Sequence, residues 1–97
     1  MNDVRVVFIA TDKKSKEVFM PFYREVVKKP WNLFTYNRGP VCIEIQDRNV
    51  VVTHDKEADK EVIEQFGCAC VELTPDIPVE AGLRMIEDAA KQGAKNG

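Results

Sequence analysis

The chain lacks most of the patterns by which a sequence announces its chemistry. Its three cysteines, Cys42, Cys68 and Cys70, are an odd number with no secretory signal ahead of them. Free thiols are therefore expected rather than a disulfide framework. The five glycines, at 39, 67, 82, 93 and 97, are scattered and build no phosphate-cradling loop. No apolar run is long and uncharged enough to cross a membrane. Asp3 and Arg5 interrupt the N-terminal apolar run where a signal peptide needs its hydrophobic stretch, so a cytoplasmic location is the expectation. A formal charge of −2 leaves no excess of Lys and Arg to neutralise a phosphate backbone, and nucleic acid is not an expected partner. Lys13, Lys14 and Lys16 cluster, as do Lys28 and Lys29, but acids elsewhere offset them, and solvated helix ends account for both groups.

What is present is a chain of 97 residues, 44% apolar and 31% charged, enough for one domain over residues 1–97 with a single core. Residues 41–52 stand out. Val41, Ile43 and Ile45 alternate with Cys42, Glu44 and Gln46, the period of a half-buried strand. Asp47, Arg48 and Asn49 supply turn residues, and Val50, Val51 and Val52 a β-branched return strand. The spacing predicts a β-hairpin at the centre of the sheet.

Residues 4–11 read as a first strand, apolar on both faces and so covered twice. Asp12 or Ser15 caps a helix with its stripe at Phe19, Tyr23 and Val26, joined by Phe22 and Val27. Pro21 predicts a kink or break in that helix, which ends near Lys29 before Pro30. Residues 33–36 alternate and extend the sheet edge, and residues 37–40 turn into the hairpin. Asp55 caps a second helix over Ala58, Val62, Ile63 and Phe66, with Gly67 just past its end. A strand over residues 68–73 turns Ala69, Val71 and Leu73 inward. Pro75 and Pro78 open a last helix with a stripe at Val79, Leu83, Ile86 and Ala90, which Gly93 ends. Residues 94–97 are a frayed tail.

The order β-α-β-β-α-β-α predicts a single-domain α+β fold, a ferredoxin-like split βαβ with a mainly antiparallel sheet and helices on one face. Residues 4–11 and the strand at Val50 are its central strands. A doubly wound parallel sheet is disfavoured, because a hairpin is too tight for a crossover. In this arrangement Val7, Ile9, Val51 and Cys70 form an apolar patch opposite the first two helices, covered by the last helix or by a partner. That face carries no aromatic residue for stacking RNA bases.

Candidate chemistry is thin. Cys42, His54, Cys68 and Cys70 offer four zinc-ligand types, but the spacing fits neither a ribbon nor a knuckle, and buried free cysteine is ordinarily a small hydrophobe. A Cys42–His54 nucleophilic pair lacks an orienting third group. Glu44 and Glu72 fit ordinary polar alternation. No catalytic residue, metal ligand or cofactor is therefore assigned. Trp31, Phe34, Tyr36 and Arg38 concentrate the residue types enriched at interface hot spots. They lie beside an edge strand, where a second chain can pack or pair.

Several stretches show a family likeness. These are Val6-Val7-Phe8-Ile9, the run from Phe34 through Asn37-Arg38-Gly39-Pro40 to Ile45, Glu64-Gln65-Phe66-Gly67, Val71-Glu72-Leu73 and Gly82. Over residues 4–82 the chain resembles the small effector (coupling) proteins of bacterial multicomponent diiron monooxygenases. It departs from them at Cys68-Ala69-Cys70, where the family has a basic residue and an aromatic, and at residues 79–90, which are helix-like where the family has a strand. The resemblance implies a protein with no cofactor and no catalytic residues, which binds a hydroxylase and alters access to its diiron site. The expectation is thus a small, soluble, non-catalytic protein that docks onto a partner through Trp31, Phe34, Tyr36 and Arg38. Two alternatives stand beside it: a ligand-binding or homodimeric regulatory domain, and a thiol or metal-site protein using Cys42, His54, Cys68 and Cys70.

Overall fold

Strands and helices alternate along the chain in the computed structural model, which describes residues 4–38 and 49–96. The elements are β1 (Arg5–Ile9), α1 (Lys13–Val26), β2 (Asn32–Tyr36), β3 (Asn49–Thr53), α2 (Lys60–Phe66), β4 (Ala69–Glu72) and α3 (Val79–Asn96). The sheet order is β2-β1-β3-β4, and every neighbouring pair is parallel. The expected class of helices and strands in one compact domain holds, as does the central place of β1 and β3. The antiparallel, ferredoxin-like sheet does not.

The hairpin is where that expectation fails. Val50, Val51 and Val52 are bonded to β1 on one side and to β4 on the other. β3 thus has no edge left for an antiparallel partner. Residues 41–48, the other arm of the expected hairpin, lie outside the described residues, as do Gly39 and Pro40. β3 is buried at all five positions. That is the signature of a parallel strand covered on both faces, whose sequence reads as a continuous apolar run rather than an alternation.

Parallel connections also decide where the helices lie. A right-handed crossover from β1 outward to β2 puts its helix on one face, and one from β3 outward to β4 in the opposite direction puts its helix on the other. Helices on one face only were expected; instead α1 and α3 share a face and α2 covers the opposite one. On the α1–α3 side Val6, Phe8, Val50, Val52, Val71 and Leu73 pack against Phe19, Phe22, Val26, Ile86 and Ala90. On the α2 side Val7, Ile9 and Val51 pack with Phe66, Val62, Ile63, Cys68 and Tyr36. The apolar patch is therefore real, but α2 closes it rather than α3 or a partner.

Local signals set the helix ends. Asp12 caps α1: the Ser15 N–H donates to Asp12 Oδ1 at 2.7 Å, and the Asp12 N–H donates to Ser15 Oγ at 3.2 Å. This reciprocal pair satisfies two backbone donors at once. Pro21 does not divide α1, which runs continuously past it. Both Pro21 and Glu17, whose carbonyl loses its donor, are exposed, so water can replace the missing bond. Gly67 ends α2 in the left-handed conformation, φ 62°, which costs glycine nothing. α3 continues past Gly93 to Asn96 instead of stopping there. At Gly82 α3 meets α1 so closely that a Cβ would lie 2.3 Å from Phe22 Cε1.

Candidate functional site

Open parallel sheets bind ligands outside the carboxyl ends of the strands, where neighbouring connections leave in opposite directions. Here that point lies between β1 and β3. Asp12 follows β1 and His54 follows β3, with His54 Nε2 3.8 Å from Asp12 Oδ1. The His54 ring also stands edge-on to Phe19 of α1, at 6.3 Å between centroids. The bonds from the Ser15 backbone and side chain, with lesser help from His54 and Lys14, hold the exposed Asp12 carboxyl below its ordinary pKa. It is an anion at neutral pH and already takes up donors of α1's first turn.

The adjoining turn is built by side chains. The Thr53 hydroxyl donates to Asp59 Oδ2 in a buried bond of 2.5 Å and accepts from the Asp55 N–H at 3.0 Å. Asp55 Oδ1 accepts from the N–H groups of Glu57 and Ala58. The capping role expected of Asp55 is thus served on the turn at residues 56–59, ahead of the shorter α2. Glu72 Oε2 accepts from the Lys56 N–H at 2.9 Å, tying the end of β4 to this turn. Asp55 and Glu72 hold backbone N–H groups and Asp59 holds the Thr53 hydroxyl. Asp12, which also caps α1, and His54 are the pair that meets where β1 and β3 end.

The thiols lie elsewhere. Cys70 is in register with Val51 and so faces α2, and Cys68 packs into the same cluster. His54 contacts α1 on the opposite side of the sheet. His54 therefore does not share a face with Cys68 and Cys70, as a joint metal or thiol site would require, and Cys42 lies outside the described residues. Burial, reinforced by the neighbouring Cys70, pushes the Cys68 thiol up to about 11, and burial also raises Cys70. Such thiols stay protonated at neutral pH and are poor nucleophiles and poor ligands. Among the described residues no group of three or more His, Cys, Asp or Glu side chains could hold a metal ion.

The four expected docking residues do follow the edge of the sheet, but they do not form one cluster. Trp31 packs against the α1–α3 core, with Lys29 Nζ 5.6 Å from its ring centre. Tyr36 packs on the other face, edge-on to Phe66 at 5.6 Å. Phe34 shares the face of Tyr36, since it aligns with Val7, yet it remains 39% exposed. Arg38 is exposed just past the strand.

Beside them lie residues to which the sequence reading gave no docking role. Tyr23 on α1 hydrogen-bonds the Thr35 side chain, fixing which flank of α1 borders β2. Met20 and Val27, three residues before and four after Tyr23, share that flank and are 51% and 66% exposed. Val27 was expected in the core stripe, and its exposure corrects that. The charge distribution is also uneven. Residues 13–38 hold seven Lys and Arg against two Glu, a formal +5, while residues 55–91 hold four against ten acids, a formal −6. The overall charge of −2 conceals this division.

No known protein family, curated protein or solved structure matches the chain. Among the described residues no helix is long and apolar enough to cross a membrane.

Proposed function

We propose that the chain is a non-catalytic protein that acts by docking onto another protein along the edge formed by β2 and the adjoining flank of α1. The observation that carries this is the exposure of Phe34 on an edge strand bordered by exposed Met20 and Val27. Apolar side chains on either side of a strand edge that no described strand pairs favour a polypeptide partner. The resemblance to monooxygenase effector proteins gives the partner its most concrete form, a hydroxylase component. The hairpin that carried part of that resemblance is not formed by β3, so the surface rather than the family is the stronger support. The test is Phe34→Asp with Met20→Ser. It abolishes partner binding while leaving the unfolding transition nearly unchanged; binding that survives this change overturns the reading.

A second reading is favoured by a different observation: Asp12 and His54 converge from the carboxyl ends of β1 and β3. A small polar ligand seated there, as in a ligand-binding regulatory domain, would contact both. It predicts that binders found by thermal shift move the His54 ring resonances and are lost on Asp12→Ala or His54→Ala.

A further inference from the structure

We infer that the partner of the β2 edge is an acidic, extended segment of polypeptide that joins the sheet as a fifth strand. This rests on the docking reading above and specifies the chemistry of what docks. Three features of the edge carry it.

The first is backbone. The Asn32 N–H donates to the Val4 carbonyl at 2.9 Å, and the Tyr36 carbonyl accepts from the Ala10 N–H at 2.8 Å. Residues 32, 34 and 36 therefore turn their amide groups toward β1. By the strand's period of two, Leu33 and Thr35 turn theirs outward. No described strand pairs with that side. Two N–H and two C=O groups in line are what an added strand bonds to.

The second is charge. Lys16, Met20 and Arg24 follow one another at four-residue steps on the exposed surface of α1, a continuous ridge that begins on the flank fixed by the Tyr23–Thr35 bond. Lys13 and Lys28 extend it at either end, and Arg38 stands beyond the end of β2. Among the described residues two exposed acids adjoin it, Glu17 and the α1-capping Asp12, while Glu25 is engaged by Lys28 at 3.3 Å; the ridge remains basic on balance. A strand laid along β2 presents alternate side chains to this ridge, and acidic residues at those positions match it.

The third is the other face. The intervening side chains of an added strand fall on the side of Phe34, whose exposed ring favours apolar neighbours across the strand pair. The preferred segment therefore alternates acidic residues toward α1 with apolar residues toward Phe34. A nucleic acid would use the basic ridge but neither the outward amides nor Phe34, and is disfavoured for that reason.

The test uses synthetic peptides of about ten residues, roughly two strand lengths. One alternates valine with glutamate, and its counterpart alternates valine with lysine. Binding is followed by amide shifts and titration at low salt and at physiological salt. The valine–glutamate peptide binds and shifts the amides of Leu33 and Thr35; the lysine peptide does not. Affinity falls about tenfold or more with Arg24→Glu or Lys16→Glu, and with added salt. Thr35→Pro removes one outward N–H without touching the bonds to β1 and abolishes binding, while Thr35→Val, which also loses the hydroxyl but keeps the N–H, binds as the parent does. Equal binding of both peptides, or shifts elsewhere on the protein, overturns the inference. So does preferential binding of a single-stranded oligonucleotide at the ridge. Light scattering that shows the edge already occupied by the acidic half of a second copy overturns it as well. Binding of a protein partner that is lost on Phe34→Asp but indifferent to Thr35→Pro and to charge reversal would leave the docking reading standing and this inference refuted. Loss of neither would refute both.

Discussion

Val7 has two neighbours in register, Val51 of β3 on one side and Phe34 of β2 on the other. All three side chains project from the same face of the sheet. Val51 is fully buried, whereas Phe34 is 39% exposed although it is larger and aromatic. Hydrophobicity does not decide the difference; position in the sheet does. β3 has a strand on either side and helices over both faces. Among the described residues β2 has a strand on one side only, and α2 lies over the β1–β3 end of its face. A residue type suited to a core, placed where the core has ended, is a reason to look for a partner.

The comparison can be broken most forcefully at β3. Val51→Asp puts an unpaired carboxylate between two strands and under α2, and should cost about 4 kcal/mol or more of stability, if the chain folds at all. Denaturant unfolding measures it, and a loss under about 1 kcal/mol would mean that α2 does not seal this face. Tyr36→Ala comes next. Its ring packs on Phe66 although it belongs to β2, so about 2 kcal/mol should be lost, between the fully buried and exposed cases. Trp31→Ala belongs with it, since Trp31 also packs on the core.

Cys68 sharpens the same boundary by chemistry rather than stability. Its pKa of about 11 against an ordinary 9.0 means alkylation at pH 8 should run roughly a hundredfold slower in the folded chain than in urea. Because the folded value is the raised one, the associated stability is present below the ordinary thiol range and is lost as pH climbs toward that value. Fast alkylation in the native state would mean that the α2 side is open. The smallest effect belongs to Phe34→Asp, the same substitution as at Val51 but on the exposed neighbour of Val7. Within about 0.5 kcal/mol of parent stability is expected, and a cost of several would make Phe34 a core residue.

Much of this fold was legible. The capping Asp12, the αL Gly67, the inward Val71 and Leu73, and the face shared by Val7, Ile9, Val51 and Cys70 follow from short-range chemistry and period, although Ala69, expected inward with them, is only half-buried. What could not be read was long-range pairing. Val50-Val51-Val52 is compatible with a hairpin return strand or with a doubly covered parallel strand, and the alternation at Val41, Ile43 and Ile45 tipped the reading to the hairpin. The uninterrupted apolar run was the signal for the parallel arrangement. With it would have come the switch point, and with that the meeting of Asp12 and His54, which are 42 positions apart in the sequence. The edge position of Leu33–Tyr36 was read from alternation alone, but Met20 and Val27 were not. A helix's apolar stripe shows that a residue can be buried, not whether the sheet beneath extends far enough to bury it.

Residue-resolved amide hydrogen exchange of the unliganded protein tests the open edge most directly. The account predicts an alternation within β2: Phe34 and Asn32, bonded to β1, are protected, while Leu33 and Thr35 exchange nearly as freely as loop amides. All the amides of Val50, Val51 and Val52 are protected together, because β3 is bonded on both sides. Protection of Leu33 and Thr35 equal to that of β3 would contradict it, for the edge would then be paired already and no partner could add a strand there.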